Sequence, residues 1–106
     1  MKFTVYQIDI SENDLKNPVI LNQYRDIKFA PNAELISKMK RFYTEVAEIK
    51  ASNFSQVFEI GNIGPEEYII RKAPMYSVSV GDVIIDEQGT SMFVDKIGFG
   101  EVCFKS

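Results

Sequence analysis

The chain reads as an α+β fold, with one amphipathic helix packed on a largely antiparallel sheet of about five or six strands. Closure of that sheet into a barrel is an open alternative. Three observations predict this. Residues Met75 to Val102 alternate strand-forming Val, Ile and Phe with glycine-marked turns. Leu35, Met39, Phe42, Val46 and Ile49 fall in steps of four and three, which is one continuous apolar stripe. The opening stretch Lys2 to Ile10 carries apolar residues on both faces of an alternating pattern, as a strand inside a sheet does.

Taken in order, Lys2 to Ile10 is the first strand, and Ser11-Glu12-Asn13-Asp14 caps a short helical turn that Pro18 limits. Val19-Ile20-Leu21 and Ile27-Lys28-Phe29 are short apolar pieces, either brief strands or loop residues tucked under the core. Asn32 is a good N-cap, and the spacing predicts a helix from there to about Ala51-Ser52-Asn53, with Glu34 complementing its dipole. Gln56 to Ile60 is expected as a strand, Gly61 to Pro65 as a turn, and Tyr68 to Arg71 as a returning strand. After Ala73-Pro74 comes a strand at Ser77–Val80, a Gly81-Asp82 bend, and a strand at Val83–Ile85. A hairpin loop at Asp86–Thr90 leads to a strand at Met92–Val94, and a turn around Gly98 leads to a last strand.

At 106 residues the chain is expected to form one domain over 1–106. Its apolar fraction of 45% and charged fraction of 25% are ordinary for a globular protein, and no apolar run is long enough to span a bilayer. Residues Met1 to Asp9 do not form a signal peptide, and the lone Cys103 forms no internal disulfide, so a reducing cytoplasm is the expected setting. The chain has no histidine. That removes the commonest neutral-pH base and metal ligand, and with it Ser-His-Asp and Cys-His nucleophiles and ordinary zinc sites. No cofactor motif is present; Gly61-Asn62-Ile63-Gly64 lacks the Lys-Ser/Thr ending of a phosphate loop. The net charge of −3 argues mildly against non-specific nucleic-acid binding. Acidity gathers late: after Gly81, Asp82, Asp86, Glu87, Asp95 and Glu101 face only Lys96 and Lys105.

The residues singled out for a role are Ser77, Ser79, Asp82, Asp95 and Phe99. Asp82 follows a turn glycine and either holds the bend or serves as acid, base or ion ligand. Asp95 sits in a strand, where Asp is depleted; convergence with Asp82 would raise one pKa and make a two-carboxylate site. Ser77 and Ser79 put hydroxyls on one face of an alternating segment, with Val78 and Val80 on the other. Phe99, between Gly98 and Gly100, is either a core plug or a projecting anchor. Lys38, Lys40 and Arg41 form a small basic patch.

Ser77 to Ile84, with Phe93-Val94-Asp95-Lys96-Ile97-Gly98-Phe99 and Glu101-Val102, resembles the signature of YodL-like domains. Those domains carry an S-[LM]-S-V-[SG]-D-V strand and a Y-x-V-D-x-x-G-F strand. Gln56 to Asn62 looks like the strand that precedes this signature, and Phe3 to Ile8 looks like the family's first strand. The chain is also similar to short proteins of tailed phages, including those of marine cyanobacteria. Residues 18–52 show no specific match, and Tyr76 and Val78 stand where the family often has His and Leu. The resemblance implies a phage or mobile-element setting and no defined activity.

The expected function is therefore a non-catalytic accessory protein that binds a host or phage protein in the host cytoplasm. An acidic C-terminal sheet surface suits a basic partner. One alternative is a small barrel that binds nucleic acid through Lys38, Lys40, Arg41 and exposed Tyr6, Tyr43 or Tyr76; another is a hydrolase built on Asp82, Asp95 and a serine. An exposed edge strand also leaves a homo-oligomer open.

Overall fold

The computed structural model describes residues 1–104; Lys105, counted above among the C-terminal cations, lies outside the described residues. The elements run β1 (Lys2–Ile8), α1 (Glu12–Leu15), α2 (Pro18–Phe29), α3 (Ala33–Lys38), β2 (Tyr43–Lys50), α4 (Phe54–Ile63), β3 (Ile69–Arg71), β4 (Val83–Ile85), β5 (Ser91–Asp95) and β6 (Gly98–Glu101). Single 3-10 turns precede β2 and β3. Every pairing is antiparallel, and the strand order is β3-β2-β1-β4-β5-β6. β1 pairs on both sides, as its two apolar faces predicted.

The sheet stays open, which corrects the barrel alternative. Its edges are β3 and β6, of three and four residues, and no ladder joins them. Helices cover it from both sides instead. Phe3 and Val5 of β1, Ala47 and Ile49 of β2, Ile84 and Val94 pack with Val57 and Ile60 of α4 on one face. Ile8, Val83, Ile85 and Phe93 pack with Ile27 of α2 and Ile36 of α3 on the other. Complete burial of side chains such as Phe3, Ile27, Ile36, Ile49 and Ile84 contributes roughly 1.5–3 kcal/mol each.

The single long helix expected over residues 32–51 is replaced by short α3 and strand β2. The reason lies in a bulge. Val5 pairs with Ala47 but Tyr6 pairs with Glu45, so Val46 is an extra residue in β2. A bulge shifts the two-residue alternation by one place, and the resulting steps of three between apolar positions imitate a helix. The strand expected at Gln56–Ile60 is instead α4. Two side chains hold its start: Asn53 Oδ1 accepts from the Gln56 N–H at 2.8 Å, and Gln56 Oε1 accepts from the N–H of Ser52, just before the cap, at 2.6 Å. The pieces Val19–Leu21 and Ile27–Phe29 both belong to α2, which Asn17 caps and Pro18 opens at the first helical position. Ser11 caps α1 as expected, with its hydroxyl accepting from the Asp14 N–H.

Residues 72–82 form a strap from edge strand β3 to inner strand β4, passing over β2 and β1 on the α4 face. The strand expected at Ser77–Val80 is absent, because these residues lie across the sheet instead of joining a ladder. Val78 is buried in the strap, and Gly61 of α4 leaves room for it: a Cβ there would collide with the Val78 side chain. At the strap's end Gly81 has φ +94°, and a Cβ would lie 2.7 Å from Ile27 Cγ2 and 3.1 Å from the Ile27 carbonyl oxygen. Gly81→Ala is therefore expected to lower stability by about 2–4 kcal/mol, from left-handed strain plus overpacking, as read by urea denaturation.

Candidate functional site

Asp82 is 1% exposed and lies under the strap. Its Oδ2 accepts from the Ser79 N–H at 2.9 Å and from Gln7 Nε2 at 3.0 Å, while its Oδ1 has no partner among the described residues. Gln7 also donates to the Tyr76 carbonyl at 2.9 Å and accepts from the Tyr76 N–H at 3.0 Å. The Tyr43 hydroxyl donates to the Gly81 carbonyl at 2.6 Å. Burial pushes the Asp82 carboxyl up to about 6, against the lowering pull of the Ser79 and Gln7 hydrogen bonds and the Lys28 charge. The Tyr43 phenol is also raised, by burial and by the neighbouring Asp82 charge.

The other singled-out residues lie elsewhere. Ser77 and Ser79 are exposed on the strap, hydroxyl side outward as the alternation suggested. Asp95 ends β5, where its Oδ1 accepts from the Lys96 N–H at 2.7 Å in the tight turn to β6. Its carboxylate shares no hydrogen-bond partner with that of Asp82. The basic patch is engaged by its neighbours: Lys38 pairs with Glu34 at 3.4 Å, Lys40 lies over Phe104 and Arg41 over Phe42. No cluster of three or more potential metal ligands occurs among the described residues. Nor is any helix among them long and apolar enough to cross a membrane.

Phe99 lies beside a small groove. The groove, of about 190 Å³, runs between α4 and the β5–β6 hairpin, lined by Ser55, Phe58, Val94, Asp95, Lys96 and Phe99 among others, so it brings together two of the singled-out residues, Asp95 and Phe99. Phe99 is half-buried: it packs on the α4-side core and lies 6.0 Å from the Phe54 ring, which in turn lies 5.1 Å from Phe3. It is thus core plug and groove wall at once. Phe58 is 40% exposed at the groove and Ile97 is 99% exposed at the hairpin tip, while the Lys96 ammonium is held 3.8 Å from the centre of the Phe29 ring. Ser55 and Phe58 face the groove only because Phe54–Ile63 is helical and not the strand that Gln56–Ile60 suggests; the Asn53–Gln56 cap is the sequence signal for that helix.

The groove adjoins a free sheet edge whose hydrogen-bonding phase can be worked out. Val94 donates its N–H to the Asp82 carbonyl at 2.8 Å and accepts from the Gly81 N–H at 2.9 Å, so both its backbone groups face away from β6. Antiparallel pairs alternate between bonded and non-bonded positions. Phe93–Gly100 and Asp95–Gly98 are then the bonded pairs, and the Val102 N–H donating to the Ser91 carbonyl at 3.1 Å continues the same phase. The N–H and C=O groups of Phe99 and Glu101 consequently point outward. Their side chains share the α4 face of the sheet, because residues two apart in a strand do. No protein-family model, curated protein or solved structure matches this chain.

The Asp82 shift carries a stability consequence. Its folded pKa lies above its unfolded one, so the stabilisation is complete below about pH 4 and is lost as pH rises to about 6. Lys28 and Tyr43 are the charged or titratable groups that face it. The loss is on the order of 2–3 kcal/mol. Asp82→Asn should flatten this part of the stability–pH curve, measured by urea denaturation from pH 4 to 7. A variant that keeps the wild-type slope would contradict the assignment.

Proposed function

We propose that the protein is a non-catalytic binding module that accepts an extended segment of another protein as a seventh strand along β6. What supports this is the alignment of two features: outward backbone groups at Phe99 and Glu101, and an apolar groove beside them on the same face. Strand addition of this kind draws affinity from main-chain hydrogen bonds and specificity from pockets for alternate side chains. A residue docked opposite Phe99 sends its side chain toward Phe58 and Ser55, and an aliphatic or aromatic side chain suits that lining. The phage or mobile-element setting, with a host or phage protein as partner in the host cytoplasm, belongs to the same reading and rests on the resemblance of Ser77–Ile84, Phe93–Phe99 and Glu101-Val102 to YodL-like domains.

The rival readings have less to work with. For nucleic-acid binding, Lys38, Lys40 and Arg41 are three cations on a chain of net charge −3, a thin footprint for counterion release. Hydrolysis by two carboxylates would need Asp82 to leave its buried bonds and meet Asp95.

Glu101→Pro tests the proposal, because it deletes an outward N–H and no ladder bond to β5. Heptapeptides selected from a random display library should shift the Phe99 and Glu101 amide resonances of the wild type, and Glu101→Pro should weaken them at least tenfold. Phe58→Ser should weaken them about three- to tenfold by opening the groove wall, in keeping with partial loss of one apolar contact. Selected peptides that bind Glu101→Pro as tightly as wild type, or that shift amides only at β3 or α2, would overturn it.

A further inference from the structure

From the β6 geometry, and resting on the strand-acceptor reading, we infer that the preferred partner segment docks antiparallel and carries a basic residue two positions before its apolar anchor. The register follows from the edge. Phe99 and Glu101 are the two residues whose backbone groups point outward, so they are the two that a docked strand must bond. Every pairing in this sheet is antiparallel, and that arrangement is slightly the more stable per residue; the docked chain then runs the other way, so the residue opposite Glu101 precedes by two the residue opposite Phe99. Both project to the α4 face. The later one meets the Phe58 and Phe99 lining of the groove, and the earlier one meets the exposed Glu101 carboxylate. The residue between them lies opposite Gly100 on the other face. A Cβ at Gly100 would collide with the Phe93 ring, so the strand there presents only backbone and the edge of that ring.

Charge selects the sign. Lys96, the described cation nearest this edge in the hairpin, is held over Phe29, and Glu101 has no basic partner among the described residues. A second copy pairing through its own β6 does not supply one. If the outward groups of two β6 strands meet, Glu101 falls opposite Ile97, Phe99 or another Glu101, never opposite a cation. The complementary occupant is a different chain with the order basic, any residue, apolar.

Three end-blocked peptides test this: STKTLTS, its charge-reversed form STETLTS and its order-reversed form STLTKTS. Binding is followed by the Phe99 and Glu101 amide resonances at low salt. STKTLTS should bind about tenfold more tightly than STETLTS, a gap made of one exposed attraction gained and one repulsion removed. The gap should shrink in 0.5 M salt. Glu101→Lys, an exposed change at the edge, should invert the preference. Equal binding of the first two peptides would overturn the charge assignment while leaving strand acceptance intact. Stronger binding of STLTKTS would overturn the antiparallel register. Failure of all three peptides, and of every selected heptapeptide, to shift those amides would overturn strand acceptance itself.

Discussion

The side-chain amide of Gln7 is the constraint on which the rest of the structure depends. The chain must travel from β3 at one edge to β4 in the interior, and the strap that does so crosses the sheet with no ladder of its own. Gln7 itself is buried, and a buried polar group left unpaired costs about as much as a lost hydrogen bond. Gln7, 6% exposed in the middle of the sheet, supplies a donor and an acceptor in the spacing of a peptide group, and Tyr76 pairs with both. Its remaining donor hydrogen reaches Asp82. One primary amide thus acts as a short piece of strand for a segment that has none.

The influence of that contact reaches the far edge. Asp82 is held between Gln7 and the Ser79 N–H, and Tyr43 fixes the Gly81 carbonyl. So anchored, residues 81 and 82 extend β4 and take both backbone groups of Val94. This sets the phase of β5, hence of β6, and so decides that Phe99 and Glu101, and not Gly98 and Gly100, present their groups outward. A side chain on the central strand therefore fixes what the outer edge offers.

Much of this was legible in the sequence where local rules act alone. Gly81, Gly98 and the Asp86–Gly89 loop mark bends whose chemistry is local, and the strands that follow them fall as expected, although the one expected before Gly81 does not form. Helix and strand were exchanged at Tyr43–Lys50 and Gln56–Ile60. In the first, an extra residue at Val46 disguised the period; in the second, the short apolar set Val57, Phe58 and Ile60 fits either state, and only the cap decides. Asp82 was readable as a turn residue, but its burial depends on Gln7, 75 positions away. The groove shared that fate: Phe99 was visible, whereas Ser55 and Phe58 reach it only once α4 is known to be helical.

The two edges of the sheet are unlike. β3 is three residues long, and beside it Arg71 pairs with Glu66 while Lys72 spans Glu45 and Glu48 at 2.8 and 2.9 Å. Charges fastened in place along a short edge discourage another strand from adding there. β6, with two glycines and a single charge, has no such guard. Growth of a sheet from molecule to molecule needs two receptive edges on every unit, and this one has a single receptive edge. One strand added at β6 would leave only the guarded β3 edge on this chain, so head-to-tail growth into fibres would stop there.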